Sequence, residues 1–156
     1  MNLKTTIARL KSILAALEYS SGQPVFTAAT SIRVSTGMSP SVRRPPECLI
    51  RITGSRGYGM HGNKLKVVTI ELDCAVNVRG PDGEYGVIDG NRATDATQGA
   101  GIESMMAKVL PAVRLIDTDS VGSHTTWTRT VDPGSPVADE NLTRQIVTLE
   151  SLCEVA

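Results

Sequence analysis

Leu3, Ile7, Leu10, Leu14 and Leu17 recur at steps of four and three, which places them on one stripe of a helix. Lys4, Arg9, Lys11 and Ser12 fall mostly off that stripe, so the spacing predicts an amphipathic helix over about residues 3–18. Gly22 and Pro24 close it. The pattern then changes to a period of two. Phe26, Ala28, Ile32 and Val34 alternate with Thr27, Ser31 and Arg33, predicting a strand over 25–34. Residues 37–46 read as a loop, punctuated by Gly37, Pro40 and the pair Pro45-Pro46. A short strand over 48–53 follows, with Cys48, Ile50 and Ile52 on one face.

The longest alternation is at 64–78. Val68, Ile70, Leu72, Cys74, Val76 and Val78 interleave with Thr69, Glu71, Asp73 and Asn77, which predicts one buried face and one wet face. The natural partner is the 48–53 strand, joined by a tip holding Gly54, Gly57, Gly59 and Gly62. A polar connection with five glycines from Gly80 to Gly99 leads to a second helix over about 101–111. Its apolar face is Ile102, Met105, Met106, Val109 and Leu110, and Pro111 is expected to end or kink it. A turn at 117–123, a strand over 125–131, a proline- and glycine-rich tip at 132–136 and a strand over 142–155 complete the order. The expected fold is α+β: one domain, residues 1–156, with a mainly antiparallel sheet of about five strands. Two helices lie on one face, in the order helix, three strands, helix, two strands.

Composition changes this picture little and charge changes it more. The chain has 156 residues, 40% of them hydrophobic, which suits one globular domain. No apolar run reaches the roughly 18 residues of a spanning helix, so no membrane partner is expected. Sixteen basic and sixteen acidic residues cancel, which disfavours any nucleic-acid binder that depends on a high overall pI. The zero is nevertheless a cancellation. Residues 1–66 carry ten Lys and Arg against Glu18 and Glu47, a surplus of eight positive charges; residues 67–156 carry the opposite surplus. If the halves form separate faces, copies can stack head-to-tail with complementary potentials; if folding interleaves the halves, the signs mix.

Cys48, Cys74 and Cys153 form no CxxC pair and are odd in number, so a disulfide framework and a zinc site are not indicated. Each lies in an apolar strand-like run, where a thiol behaves as a small buried hydrophobe. Arg9 and Lys11 interrupt what would be the apolar part of a signal peptide, so synthesis in a reducing cytoplasm is expected and the sequon at Asn141 carries no meaning.

Chemical motifs fail on context. Gly57-Tyr58-Gly59-Met60-His61-Gly62 matches GxGxxG, but a strand follows it, and a pyrophosphate needs a helix N-terminus there. The stretch from Asp89 to Asp95 begins like a calcium loop, yet Ala93 and Thr94 stand where a ligand oxygen and a glycine are required. His61 and His124 have no partner at metal-ligand spacing, and Asp117 and Asp119 read as turn residues. No catalytic, cofactor-binding or metal residue is assigned; the chain reads as a non-enzyme without cofactors. More informative are the basic loops: Arg43 and Arg44 before the prolines, and Arg56, Tyr58 and His61 on the glycine tip. Arginines on extended loops suit phosphates or a protein partner. An aromatic content of 3% is meagre for stacking single-stranded bases.

The whole order resembles the tail terminator (tail completion) proteins of long-tailed bacteriophages. The likeness is carried by the opening helix Leu3–Leu17, the proline-led strand from Pro45-Pro46-Glu47-Cys48-Leu49-Ile50, the long strand Leu65–Val78, the helix Ile102–Leu110 and the closing strands Thr125–Val131 and Leu142–Val155. It departs from the family in a longer tip at Gly54–Gly62 and a long Arg79–Gly101 connection. The resemblance implies a structural virion protein, made in the host bacterial cytoplasm. It would form a ring, usually a hexamer, on the last ring of the tail tube, end tube growth and join the tail to the head connector. The implied partners are further copies of the chain, the tail-tube protein, a connector or stopper protein, and DNA passing non-specifically through the lumen. Arg43, Arg44, Arg56, Tyr58 and His61 would contact a neighbouring ring or line the passage; Asp82, Glu84, Asp89 and Asp95 would meet a neighbour's basic side. A head–tail stopper or adaptor, a tail-tube subunit, and a small ligand-binding enzyme using the Gly57–Gly62 loop are the alternatives.

Overall fold

Asn2 opens the first helix, α1 (Leu3–Ala15), by accepting a hydrogen bond from the Thr5 backbone N–H at 2.9 Å. The structure, a computed structural model, describes residues 1–26, 31–35, 43–59, 64–77, 101–121, 124–139 and 142–155. Leu10 and Leu14 of the expected stripe are fully buried. Leu3, Ile7 and Leu17 pack partly buried against the same core. Burial of the two central leucines contributes about 3–6 kcal/mol. The helix stops earlier than its pattern suggested. A two-stranded hairpin, β1 (Glu18–Ser20) and β2 (Gln23–Pro24), takes over, turning at Gly22 with φ of 76°.

The expected strand over 25–34 is shorter and runs in a different sense. Val25 and Phe26 are buried without being strand, residues 27–30 lie outside the described residues, and the strand itself is β3 (Ile32–Ser35). It pairs parallel with β4 (Glu47–Gly57), Ile32 opposite Cys48 and Val34 opposite Ile50. A parallel pair cannot be closed by a tight turn; a cis Pro45-Pro46 bond stands just before β4. Strand β4 is longer than expected because Gly54 and Gly57 are inside it: after a bulge near Ile52 they pair with Thr69 and Lys66 of β5 (Leu65–Asn77).

The second helix, α2 (Ile102–Val113), runs through Pro111 and ends two residues later. Ile102, Met105, Met106, Val109 and Val113 are its buried residues. The stretch expected to turn at 117–123 is largely strand: β6 (Leu115–Val121) pairs antiparallel with β7 (His124–Asp132). A three-residue strand, β8 (Val137–Asp139), pairs with the start of β9 (Leu142–Glu154).

The main sheet has seven strands in the order β3-β4-β5-β9-β7-β6, with β8 beside β9. The last strand therefore lies in the middle, matched to β5 along thirteen residues from Leu65 opposite Glu154 to Asn77 opposite Leu142. The architecture is α+β. One sheet face carries Cys48, Ile50, Val68, Ile70, Leu72, Cys74, Val147, Leu149 and Cys153, buried with the apolar stripes of both helices as one core. Among the described residues no helix is long and apolar enough to cross a membrane.

Candidate interface on the polar sheet face

A period of two sends the remaining strand residues to the other face. The register aligns them in rows. Arg56, Val67, Leu152 and Trp127 form one row; Thr69, Glu150 and Arg129 the next; then Arg51, Glu71, Thr148 and Asp132; then Leu49, Asp73 and Ile146; and last Glu47, Ala75 and Arg144. Sequence alternation marked this face as wet. Part of it is not: Glu47 and Asp73 are fully buried, as are Leu49 and Ala75.

Two buried carboxylates require compensation, because taking a charge out of water costs several kcal/mol. Arginines supply it. Arg43 reaches Asp73 through both terminal nitrogens, at 3.1 and 3.3 Å, and also pairs with Glu47 through Nε. Arg33 donates to Glu47 at 2.6 Å. Arg51 lies 3.2 Å from Glu71 and 3.3 Å from Asp73, and Arg144 lies 3.8 Å from Asp73. Burial alone would lower the pKa of Arg43; the hydrogen bonds and charges of Asp73 and Glu47 outweigh it and raise the guanidinium above its ordinary value. At the other end of the face Glu150 is flanked by Arg56 at 3.6 Å and Arg129 at 3.9 Å. Arg129 also stacks on Trp127, 4.4 Å from the ring centroid, worth about 0.5–1 kcal/mol at an exposed position.

The residues proposed from sequence are therefore used unequally. Arg43 is committed to Glu47 and Asp73 of its own chain. Arg44 beside it is exposed. Arg56 sits at the end of β4 rather than on a loose tip, its side chain 65% exposed. Tyr58, two residues on, is exposed, with its N–H donating to the Leu65 carbonyl at 3.3 Å. His61, Asp82, Glu84, Asp89 and Asp95 lie outside the described residues. Sequence reasoning passed over Arg33, Arg51, Glu71, Asp73, Arg129, Arg144 and Glu150. The signal was present: these residues occupy the strand positions that alternate away from the core.

Cys48 and Cys74 face each other across β4 and β5, and all three cysteines are free and buried. The hydrogen bond with Cys74, then burial and the charges of Asp73 and Glu47, push the Cys48 thiol well above its ordinary value.

Among the described residues, the two charge surpluses of the chain meet on this face. Arg43, Arg51 and Arg56 from the basic half pair with Glu71, Asp73 and Glu150 from the acidic half. The hairpin of β4 and β5 interleaves them. The chain matches no protein-family model and no curated protein sequence.

Proposed function

We propose that the protein is a structural, non-catalytic subunit of a phage tail, forming a homo-oligomeric ring that ends the tail tube and joins it to the head connector. The observation that carries this reading is the placement of exposed apolar side chains at both margins of one sheet. Val34 and Ile52 are exposed at the β3–β4 margin; Leu115, Val131 and Val137 are exposed toward the opposite one. Beside the latter, Leu110, Pro111, Arg114, Thr130 and Pro133 line an open groove of about 490 Å³. Different patches at opposite margins suit a head-to-tail contact between copies, the geometry that closes into a ring. The resemblance in element order to tail terminators points the same way.

Negative-stain microscopy of the purified protein, with and without a tail-tube subunit, tests the proposal. Rings that cap tubes of fixed length are the expected result. Open filaments would favour a tube subunit, rings that bind only a connector would favour a stopper, and persistent monomers would count against all three.

A further inference from the structure

The most exposed charges of the polar sheet face's ion-paired ladder are arginines, and its deepest are carboxylates. Its ion-paired ladder contains six arginines, Arg33, Arg43, Arg51, Arg56, Arg129 and Arg144, and four carboxylates, Glu47, Glu71, Asp73 and Glu150. The carboxylates form the floor: two have no exposed side-chain surface, and the others are 28% and 25% exposed. Four guanidinium groups reach outward, with Arg56 and Arg129 65% and 55% exposed and Arg33 and Arg144 about a third exposed, while Arg43 and Arg51, 13% exposed, lie as deep as the carboxylates they pair with. The ladder has a surplus of two positive charges, reduced to one for the face when the exposed Asp132, opposite Thr148, is counted, and the most exposed positions of the ladder are cationic. Asp132, at the rim beyond the last bulge of β7, accepts from the Gly134 N–H at 2.8 Å.

We propose that this face binds the phosphate backbone of double-stranded nucleic acid without reading its sequence. Three features select that partner. Every cation of the ladder is an arginine, whose planar fork matches phosphate oxygens and is weakly hydrated. A guanidinium has five donors, so at the four outward arginines, Arg33, Arg56, Arg129 and Arg144, one contact to a carboxylate leaves N–H groups for an acceptor above. The carboxylates hold the side chains in place, which reduces the entropy lost when a phosphate is engaged. The neutral total charge does not oppose this, because within a Debye length of roughly 10 Å a ligand on this face meets the local surplus rather than the sum over the molecule. The proposal concerns the surface of one subunit and stands whether or not the ring forms.

Binding of a labelled mixed-sequence DNA duplex to the purified protein, followed by fluorescence anisotropy at rising salt, tests it. Four outward arginines correspond to a slope of log K against log salt of about −3.6, or a loss of roughly 150-fold between 50 and 200 mM. The double variant Arg56→Gln, Arg129→Gln should weaken binding at least about tenfold at 50 mM and reduce the slope by about 2. Lys4→Gln with Lys11→Gln removes the same charge from exposed positions of α1, on the opposite side of the sheet, and should leave binding unchanged. No binding at 50 mM salt, or equal losses in both double variants, would overturn the proposal. So would displacement by poly-L-glutamate as effective per charge as by unlabelled duplex, which would assign the face to an acidic protein. Microscopy reads the ring independently, so the two readings fail separately.

Discussion

Replacing Arg43 by Met removes the central cation of the buried cluster while keeping most of its aliphatic bulk. Asp73 then loses a two-pronged contact at 3.1 and 3.3 Å, and Glu47 loses one of its two arginines. Neither carboxylate has exposed surface through which water can replace the lost donors. Removing one partner of a buried ion pair costs about 3–5 kcal/mol, chiefly because the other charge is left uncompensated. Asp73 retains Arg51 and Arg144, and Glu47 retains Arg33, which sets the expectation near the lower end, about 3 kcal/mol. At roughly 2–4 °C per kcal/mol for a chain of this size, the melting temperature should fall by about 6–12 °C.

The assay is urea unfolding of Arg43→Met beside Arg44→Met, with the melting temperature as a second readout. Arg44 is the exposed neighbour, and its replacement should stay within about 0.5 kcal/mol. Because the Arg43 contacts are buried, the deficit should persist at 0.5 M salt, where a surface pair would be screened. Adding Asp73→Asn to Arg43→Met should cost less than the sum of the single changes, since the orphaned charge disappears with its partner. An Arg43→Met protein as stable as the Arg44→Met protein would refute the view that this cluster is an internal brace.

The other expectations concern the thiols, a turn and a cap. The raised Cys48 pKa means that above about pH 9 the unfolded chain releases a proton that the folded chain keeps. Its contribution is therefore complete below pH 9 and declines by about 1.4 kcal/mol per pH unit above it, until the folded thiol itself ionises; stability measured from pH 7 to 10 should fall less steeply in Cys48→Val, and equal slopes would reject the assignment. Gly134 has φ of 72° and its added Cβ would run into the Ile146 carbonyl, so Gly134→Ala should cost about 1–3 kcal/mol in urea unfolding. Asn2→Ala removes the cap on Thr5 and should cost about 1 kcal/mol, with a helical loss in circular dichroism confined to the end of α1. An aromatic disulfide reagent at pH 8 should find all three cysteines protected until the chain unfolds, since none is exposed.

The parts of the fold that sequence made legible are those where one period dominates a long stretch. The stripe from Leu3 to Leu17 and the alternation from Val68 to Val76 each name a buried face that the structure places in the core. The misread parts are those where a local signal competes with tertiary context. Asp117 and Asp119 look like turn residues, yet β7 offers that backbone a pairing partner. Gly54 and Gly57 look like loop, but Thr69 and Lys66 opposite them extend the hairpin. Pro111 lacks only one N–H, near the end of a helix whose Val109 and Val113 are already anchored, so the helix runs past it. The parallel sense of β3 and the central position of β9 depend on which distant segments meet, which no local period encodes. The same limit applied to the polar face: Arg43 as a loop arginine was visible, but Asp73, thirty residues away, was read as solvent-facing.

Charge shows the consequence most clearly. A total of zero suggests an electrically plain surface, and the opposite surpluses of the two halves suggest two opposed faces. Neither quantity contains depth. Once β5 lies between β4 and β9, basic and acidic positions alternate across the same rows, so a division by chain half has no spatial counterpart there. What remains is a partial asymmetry along the normal to the sheet: Arg56 and Arg129 reach furthest into water and Glu47 and Asp73 not at all, while Arg43 and Arg51 stay deep. Asp and Glu have short side chains and stay near the backbone plane, whereas Arg is long enough to cover them and still reach water. Equal numbers of charges can therefore give a cationic outer layer over an anionic floor, provided that the two signs belong to side chains of different length. Replacing the outer Arg56 and Arg129 by Lys, which keeps the charge and loses the planar fork, separates the two ingredients of that layer. If phosphate geometry matters, duplex binding should weaken severalfold with little change in salt slope; if only the field matters, affinity should be retained.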